Sequence, residues 1–239
     1  MNYDEFCIEF KKYASLMNIV IEDKKIEKFY KYMELLLEWN EKINLTAITN
    51  PREIIIKHFI DSIIISKKIN KNARIIDIGT GAGFPGIPLK IYDDTLDITL
   101  LDSLNKRTIF LKEVISKLDI NKVDVIHGRA EDFAQDKKYR AMYDYAVSRA
   151  VAPLNILCEY LIPYVKKNGT VIAMKGSNIA EELENAKSAI LKLKADVMEV
   201  DKIELPENNG ERNIVIIEKK LDTPNMYPRK AGIPKKNPL

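Results

Sequence analysis

Residues 74–89 read RIIDIGTGAGFPGIPL: a β-type apolar run reaches Asp77 and then meets Gly79, Gly81, Gly83 and Gly86 within eight residues. A glycine-rich turn between a first strand and a helix supplies main-chain N–H groups and lets a ligand come close to the backbone. A dinucleotide needs G-x-G-x-x-G there, with the third glycine admitting the helix and the helix N-terminus receiving a pyrophosphate. Counted from Gly79, this chain has G-x-G-x-G, with Phe84 at the position that pattern reserves for glycine. Pro85 and Pro88 fall where a clean pyrophosphate-binding helix would begin. The turn therefore suits a ligand that carries no phosphate.

S-adenosyl-L-methionine, built from a zwitterionic amino acid, a ribose and an adenine, is such a ligand. The pattern D-x-G-x-G-x-G after a first strand resembles its loop in class I methyltransferases. In that reading Gly79, Gly81 and Gly83 accommodate the methionine part, and Asp77 steers the ammonium group or the N–H groups of the loop. Asp102 ends the next β-type run, LDITLLDS, where a carboxylate can accept both ribose hydroxyls. GRAEDF follows the third run and offers acidic or amide groups to the adenine amino group. Each feature has a plainer reading: the glycines as a structural turn, Asp102 as a helix N-cap shared with Ser103. Their order at three successive strand ends favours the nucleoside.

These positions presuppose a parallel sheet. The runs RIIDIG, LDITLLD, KVDVIHG, YDYAVS and GTVIAMK alternate with stretches of helical length such as SLNKRTIFLKEVISKL and LNILCEYLIPYVKK, and alternation of this kind means a sheet wrapped by helices. DVMEVDKIEL and NIVIIEKK, with PENNGER between them, suit a closing antiparallel hairpin. The expected fold is α/β and Rossmann-like, a mostly parallel seven-stranded sheet with flanking helices over residues 71–221. A helical extension over 1–70 precedes it and a basic tail over 222–239 follows. In the extension Ile26, Phe29, Tyr30, Met33, Leu36 and Leu37 recur at helical spacing. Pro51 opens a further helical stretch, PREIIIKHFIDSIIISKKI, at a first-turn position where its missing N–H does no harm.

The 239 residues are 46% hydrophobic and 31% charged, enough for one main core plus an appendage. Net charge is only +3, but the last seventeen residues, TPNMYPRKAGIPKKNPL, hold Arg229, Lys230, Lys235 and Lys236 and no acid. Cys7 and Cys158 form no disulfide framework or metal-ligand spacing, and with two histidines no metal site is expected. No apolar run approaches the roughly 18 residues of a membrane span, and MNYDEF is no signal peptide. A soluble, cytoplasmic protein is expected, with no exposed apolar stripe to suggest an oligomer.

Over nearly its whole length the chain resembles the ribosomal RNA small subunit methyltransferase G family, also called glucose-inhibited division protein B. The likeness is carried by LLLEWNEKINLTAIT, KHFIDS, DIGTGAGFPGIPL, LLDSLNKRTIFL, GRAEDF, SRAVAPL, MKG and YPRKAGIPKKNPL. The resemblance implies a class I fold that uses S-adenosyl-L-methionine and releases S-adenosyl-L-homocysteine. It implies 16S ribosomal RNA or the small ribosomal subunit as partner, with N7 of guanine 527 as target. Implied cofactor contacts are Gly79, Phe84, Asp102, Ser103, Leu104, Ala130, Glu131 and Arg149.

Guanine N7 carries a lone pair and no proton, so its methylation needs no general base and rests mainly on alignment. The sequence agrees, since no Ser-His-Asp-like or metal-assisted set can be assembled. Cys158, in the apolar run LNILCEYLIPY, reads as packing rather than as the nucleophile of a pyrimidine C5 methylation. SRAVAPL stands where exocyclic-amine methyltransferases carry an [N/D/S]-P-P-aromatic loop, and Lys175 leaves open a base for ribose methylation. Arg149 is expected to position cofactor and base together, or else to pair with Asp144 or Glu131. Contacts to RNA are expected from His58, Lys175, Arg212, Arg229, Lys230, Lys235 and Lys236. His58 has the alternative of packing its own helix, and the tail that of merely solubilising. Removing the chain past Leu221 is expected to weaken RNA binding and to spare cofactor binding. Rival readings are a methyltransferase of the same fold acting on another RNA, a protein or a small molecule, a nicotinamide-dependent oxidoreductase, and a non-catalytic RNA-binding module.

Overall fold

The computed structural model describes residues 1–176 and 178–239. Seven strands form one sheet: β1 (Arg74–Ile78), β2 (Asp97–Asp102), β3 (Val123–His127), β4 (Tyr143–Arg149), β5 (Val165–Lys175), β6 (Ala195–Glu204) and β7 (Glu211–Lys219). Their order is β3-β2-β1-β4-β5-β7-β6, parallel from β3 to β5. β7 enters antiparallel between β5 and β6. The closing hairpin is present, with its second strand next to β5. The chain moves outward from β1 to β3 and restarts at β4 on the other side, so the order reverses between β1 and β4. Ligand crevices of open α/β sheets lie at the carboxyl ends of the strands at such a reversal.

The extension begins with a capping box. Asn2 Oδ1 accepts from Glu5 N–H at 2.9 Å, Glu5 Oε2 accepts from Asn2 N–H at 3.0 Å, and α1 (Tyr3–Leu16) follows. α2 (Asp23–Ile43) stops at Asn44, whose φ of 49° is left-handed. Asn50 caps α3 (Pro51–Ile54), and a π-turn over Ile55–Ile60 then leads into the short α4 (Asp61–Ile63). The periodicity promised one uninterrupted helix there. The structure instead widens it, and Asp61 N–H reaches back to Ile56 O. Aromatic rings carry the packing from α1 inward: Phe10 to Phe29 at 4.8 Å, Phe29 to Phe59 at 4.9 Å, Tyr32 to Phe84 at 5.6 Å. They share one core with Ile75, Ile98, Leu100 and Val147 of the sheet. The extension is thus the cover of one sheet face, together with α5 (Gly86–Tyr92) and α6 (Asn105–Lys117).

α7 (Ala130–Phe133), α8 (Leu154–Leu161) and α9 (Ile179–Lys192) belong with the other face. Against them lies the tail, which is docked rather than loose. Arg140 donates to the carbonyls of Tyr227 at 2.7 Å and Thr223 at 2.8 Å, and Gln135 donates to Pro228 O at 2.7 Å. Glu159, fully buried on α8, accepts from Arg229 Nη2 and from Arg229 N–H, both at 2.7 Å. Arg229 is therefore an anchor and not a phosphate contact, whereas Lys230, Lys235 and Lys236 stay exposed around α10 (Ile233–Lys236). Among the described residues no helix is long and apolar enough to cross a membrane.

Removing one partner of a buried ion pair leaves an uncompensated charge, which costs about 3–5 kcal/mol. Arg229→Ala should therefore lower the urea midpoint at unchanged slope. Glu159→Gln on that background should recover part of the loss. Truncation past Leu221 should destabilise the whole domain rather than spare it.

Candidate functional site

The turn after β1 sits at the reversal of strand order, and most of its amides are already engaged. The N–H groups of Gly79 and Thr80 bond Leu101 O at 2.8 and 3.2 Å, and those of Gly83 and Phe84 both bond Thr80 O at 2.9 Å. Gly81 N–H donates to Asp102 Oδ2 and Gly86 N–H to Asp77 Oδ2, each at 2.8 Å, and Thr80 Oγ1 adds a 2.7 Å bond to Asp77. The expectation that the loop supplies free N–H groups is therefore corrected for every amide but that of Ala82, which donates no bond among the described residues. Among the described residues, Gly79 O and Gly81 O accept no bond, so the turn presents acceptors.

The four glycines divide their work. A Cβ on Gly83 would stand 2.5 Å from Tyr32 Oη, one on Gly86 2.4 Å from Leu100 Cδ2, and one on Gly79 2.6 Å from Val151 Cγ2. These three are small because protein lies against them, and Gly83 faces the extension, not a ligand. Gly81, at φ 61°, looks into open space, its nearest atom being Gly79 O at 3.9 Å. Beside the turn opens a cleft of about 160 Å³, bounded by Gly79, Ser103, Ala130, Glu131, Val151 and Tyr160. Larger hollows of about 360 Å³, one edged by Lys24, Lys28 and Lys122 and another by Asn70 and Asn168, lie at the amino ends of the strands, away from the turn. The smaller cleft is where glycine turn and strand ends meet, and it is the candidate site.

The sequence-nominated acids reach this cleft unequally. Asp77 is fully buried behind the turn, with Oδ1 left without a partner among the described residues. Asp102 accepts from Gly81 N–H and, through Oδ1, from Leu104 N–H at 2.9 Å; it caps no helix, since α6 begins after Leu104. Ser103 and Leu104 are exposed at the rim. Glu131 is buried, and its Oε1 accepts from Gly232 N–H of the tail at 2.8 Å. Ala130 O is held by Tyr164 Oη at 2.6 Å. His127 is exposed, with Nε2 3.2 Å from Ser103 O.

Arg149 pairs with neither Asp144 nor Glu131. Its Nη1 donates to Asp61 Oδ2 and to Lys57 O, both at 2.8 Å, and its guanidinium lies 4.8 Å from the Phe84 ring centre. His58 stacks on the same ring at 4.5 Å. Arginine can only donate, so His58 Nδ1 accepts the 3.2 Å bond from Arg149 Nη2; Nε2 then carries the proton toward Thr46 Oγ1 at 2.9 Å. Burial, reinforced by the Arg149 charge, pushes the His58 pKa down to about 3. His58 is a neutral packing residue and no phosphate contact. Arg212 is held by Asp61, its Nε 2.9 Å from Oδ1, while its Nη2 has no acceptor among the described residues. Lys175 lies 2.7 Å from Glu182 Oε2 and donates to Ala152 O at 2.8 Å, with its side chain 9% exposed, so it is free neither as a base nor for RNA.

Sequence reasoning passed over Asp61 and Tyr32, whose hydroxyl donates to Ala82 O. Asp61 carried a signal: a carboxylate between FI and SIII in an apolar helical run must be paired when buried.

A family model described as rRNA small subunit methyltransferase G matches residues 25–215. The chain is 52% identical over 228 residues to the ribosomal RNA small subunit methyltransferase G of Thermoanaerobacter sp. (strain X514), covering 95% of each. It is 48% identical over 238 residues to that of Desulforamulus reducens, covering 99% of each. Among solved structures, a SAM-dependent methyltransferase from Aquifex aeolicus superposes with a TM-score of 0.52 at 15% identity, over 70% of this chain and 93% of that one. M. jannaschii TYW2 in complex with AdoMet gives 0.51 at 16% identity, over 67% and 77%. These two likenesses show the class I methyltransferase fold. On the family match and the near-full-length identities, the chain belongs to the rRNA small subunit methyltransferase G family.

Proposed function

We propose that this protein methylates N7 of guanine 527 in 16S ribosomal RNA of the small subunit, with S-adenosyl-L-methionine as donor. The observation that carries the reading is a turn with its amides engaged, that of Ala82 excepted, and the carbonyls of Gly79 and Gly81 free among the described residues. Such a turn suits an ammonium group and offers a pyrophosphate a single amide, which disfavours the oxidoreductase. When bound, S-adenosyl-L-methionine supplies a methyl group made electrophilic by its sulfonium. Gly79 and Gly81 would hold its amino-acid end. Asp102 would take the ribose hydroxyls chiefly through Oδ1, which retains a lone pair beyond the Leu104 amide, since Oδ2 accepts from Gly81 N–H and also lies 3.5 Å from Arg107 Nη1. Ser103, Leu104 and the Ala130–Glu131 turn would border the adenine. Arg149, backed by Phe84, would face the amino-acid end and the incoming base.

Among the described residues, none of the candidate bases is placed to remove a proton. His58 is held neutral, Asp77 lies behind the turn, Lys175 is paired, and burial pushes the Cys158 thiol up to about 12. A lone pair that needs no deprotonation fits such a site, and alignment then dominates the rate. A base within A-form RNA is out of reach, so the target base must be unpaired or turned out of its stack. The exposed Lys230, Lys235, Lys236 and Arg129 would neutralise flanking phosphates.

The reading is tested by incubating the protein with labelled S-adenosyl-L-methionine and undermethylated small subunits and mapping the modified nucleotide; label on guanine N7 at position 527 is expected. The glycines give a paired prediction. Gly81→Ala should weaken S-adenosyl-L-methionine binding about tenfold, or 1.4 kcal/mol, by calorimetry, with a stability loss limited to the roughly 1–2 kcal/mol of its left-handed φ. Gly83→Ala carries the same backbone strain and should lose about 1–3 kcal/mol more through overpacking against Tyr32.

The two buried titratable groups oppose one another in pH. Burial raises the Asp77 carboxyl from 3.8 to about 7, against the bonds from Thr80 and Gly86. The folded chain keeps a proton there that the unfolded chain sheds, so this contribution falls as pH rises through that window. His58, lowered from 6.5 to about 3, does the reverse: the unfolded chain gains a proton that the fold refuses, and stability falls as pH drops. The two largely cancel between about pH 4 and 6.5. Asp77→Asn should unmask His58, with stability rising across that interval more steeply than in the parent; parallel denaturation curves would contradict the assignment.

A further inference from the structure

Asp61 is 1% exposed and divides its carboxylate between arginines from two different strands. Oδ2 receives Arg149 Nη1 at 2.8 Å and Oδ1 receives Arg212 Nε at 2.9 Å. Both arginines stand at the carboxyl edge of the parallel strands, Arg149 ending β4 and Arg212 near the start of the antiparallel β7. Two guanidinium groups against one carboxylate leave a positive charge in excess. The neighbouring groups offset it only in part: His58 is neutral, Lys57 is paired with Glu53 at 2.5 Å, and the buried Asp77 carboxyl, whose pKa burial raises, feels the Arg149 charge. Arg149 is fixed further by Lys57 O, His58 Nδ1 and the face of Phe84. Among the described residues nothing accepts from Arg149 Nε or Arg212 Nη2, and the two side chains remain 13% and 23% exposed. Fixed, partly desolvated guanidinium donors with surplus charge match an oxyanion that can be met by a fork of N–H groups.

We infer that Asp61 is a positioning residue for methyl transfer: it sets Arg149 and Arg212 side by side, and the pair receives a phosphodiester of the RNA strand next to the target base. The inference rests on the reading of the substrate as RNA. It gives the helical extension a part in the site, since Asp61 follows the π-turn of that extension. Asp61 itself touches no substrate. Without its charge the two guanidinium groups repel one another, and the strand is held out of line.

The test compares the parent with Asp61→Asn and Arg212→Lys. Methyl transfer to undermethylated small subunits is counted at whichever nucleotide the parent modifies, with S-adenosyl-L-methionine affinity and Tm measured alongside. For each variant, kcat/KM for subunits should fall on the order of 100-fold. For Arg212→Lys cofactor affinity should stay within about twofold of the parent, and for Asp61→Asn the log–log salt dependence of KM should be shallower by about 0.7–0.9. Parent-like transfer would overturn the inference. So would cofactor affinity and transfer lost in equal proportion in Arg212→Lys, which would place the effect on the methionine carboxylate or on folding. If Asp61→Asn does not fold, Arg212→Lys decides, since it keeps the charge and loses the Nε–carboxylate geometry. Label mapped to another atom or nucleotide would revise the target and leave the comparison standing; a parent that labels no RNA would overturn both.

Discussion

Two buried carboxylates on adjacent strands hold the glycine turn, and the character of the site follows from that restraint. Asp77 ends near the top of β1 and Asp102 closes β2, and between them they accept the amides of Gly81 and Gly86 and the hydroxyl of Thr80. Such bonds are each worth about 0.5–1.5 kcal/mol, and about 1.5–3 where the acceptor is charged, enough together to fix a turn whose glycines have little conformational preference of their own. The same restraint changes the polarity expected of a glycine-rich loop: amides that would cradle a phosphate are taken up by carboxylates and main-chain carbonyls, that of Ala82 excepted, and the carbonyls of Gly79 and Gly81 remain. A cationic ligand end would meet acceptors, whereas a phosphate would meet a single free amide. Burial of Asp77 works against this arrangement and lifts its pKa to about 7, so the restraint is maintained against a desolvation penalty.

Aromatic packing supports the turn from the opposite side. Tyr32 donates to Ala82 O within the turn, and Phe84 is held between the His58 ring at 4.5 Å and the Arg149 guanidinium at 4.8 Å. Phe84 occupies the position where a dinucleotide fold requires glycine for its helix to approach, and here the space is filled by the extension's own aromatic side chains. The substitution that first argued against a nicotinamide cofactor thus has a structural purpose: it joins the turn to α2 and to the π-turn before α4. Displacing the extension would free Phe84, and with it Arg149.

Much of this was legible in the sequence, and the parts that were not share a cause. Strand and helix order could be read because alternation and helical periodicity are local signals, and all seven strands appear in the expected order. The glycine pattern marked the turn, but only the folded chain shows that Gly83 and Gly86 make room for Tyr32 and Leu100 while Gly81 faces the cleft. The arginine partners were illegible for a simple reason: Asp61 and Arg212 lie 151 residues apart in the chain. Composition also misdirected, since a tail with four cations and no acid reads as a mobile phosphate-seeking arm. Its two determinants were elsewhere, in Glu131 and in Glu159 of LNILCEYLIPY. A lone charge within an apolar run is costly to bury unpaired, and both Asp61 and Glu159 could have been flagged on that ground.

The docked tail bears on the cofactor side of the site as well as on RNA. Glu131 and Glu159 are both buried, and the partners they find are main-chain and side-chain groups of residues 229 and 232. Glu131 belongs to the first turn of α7, which with Ala130 borders the cleft beside Gly79. A helix of four residues has little cooperativity of its own, so its position depends on what holds its ends. Here those restraints are Tyr164 Oη on Ala130 O at one side and Gly232 N–H on Glu131 Oε1 at the other. The wall of the cleft is therefore assembled from β-strand ends that come early in the chain and a segment that comes last. Lys230 and Lys235 flank that last contact in sequence, so the exposed cations of the tail sit beside the residue that fixes Glu131.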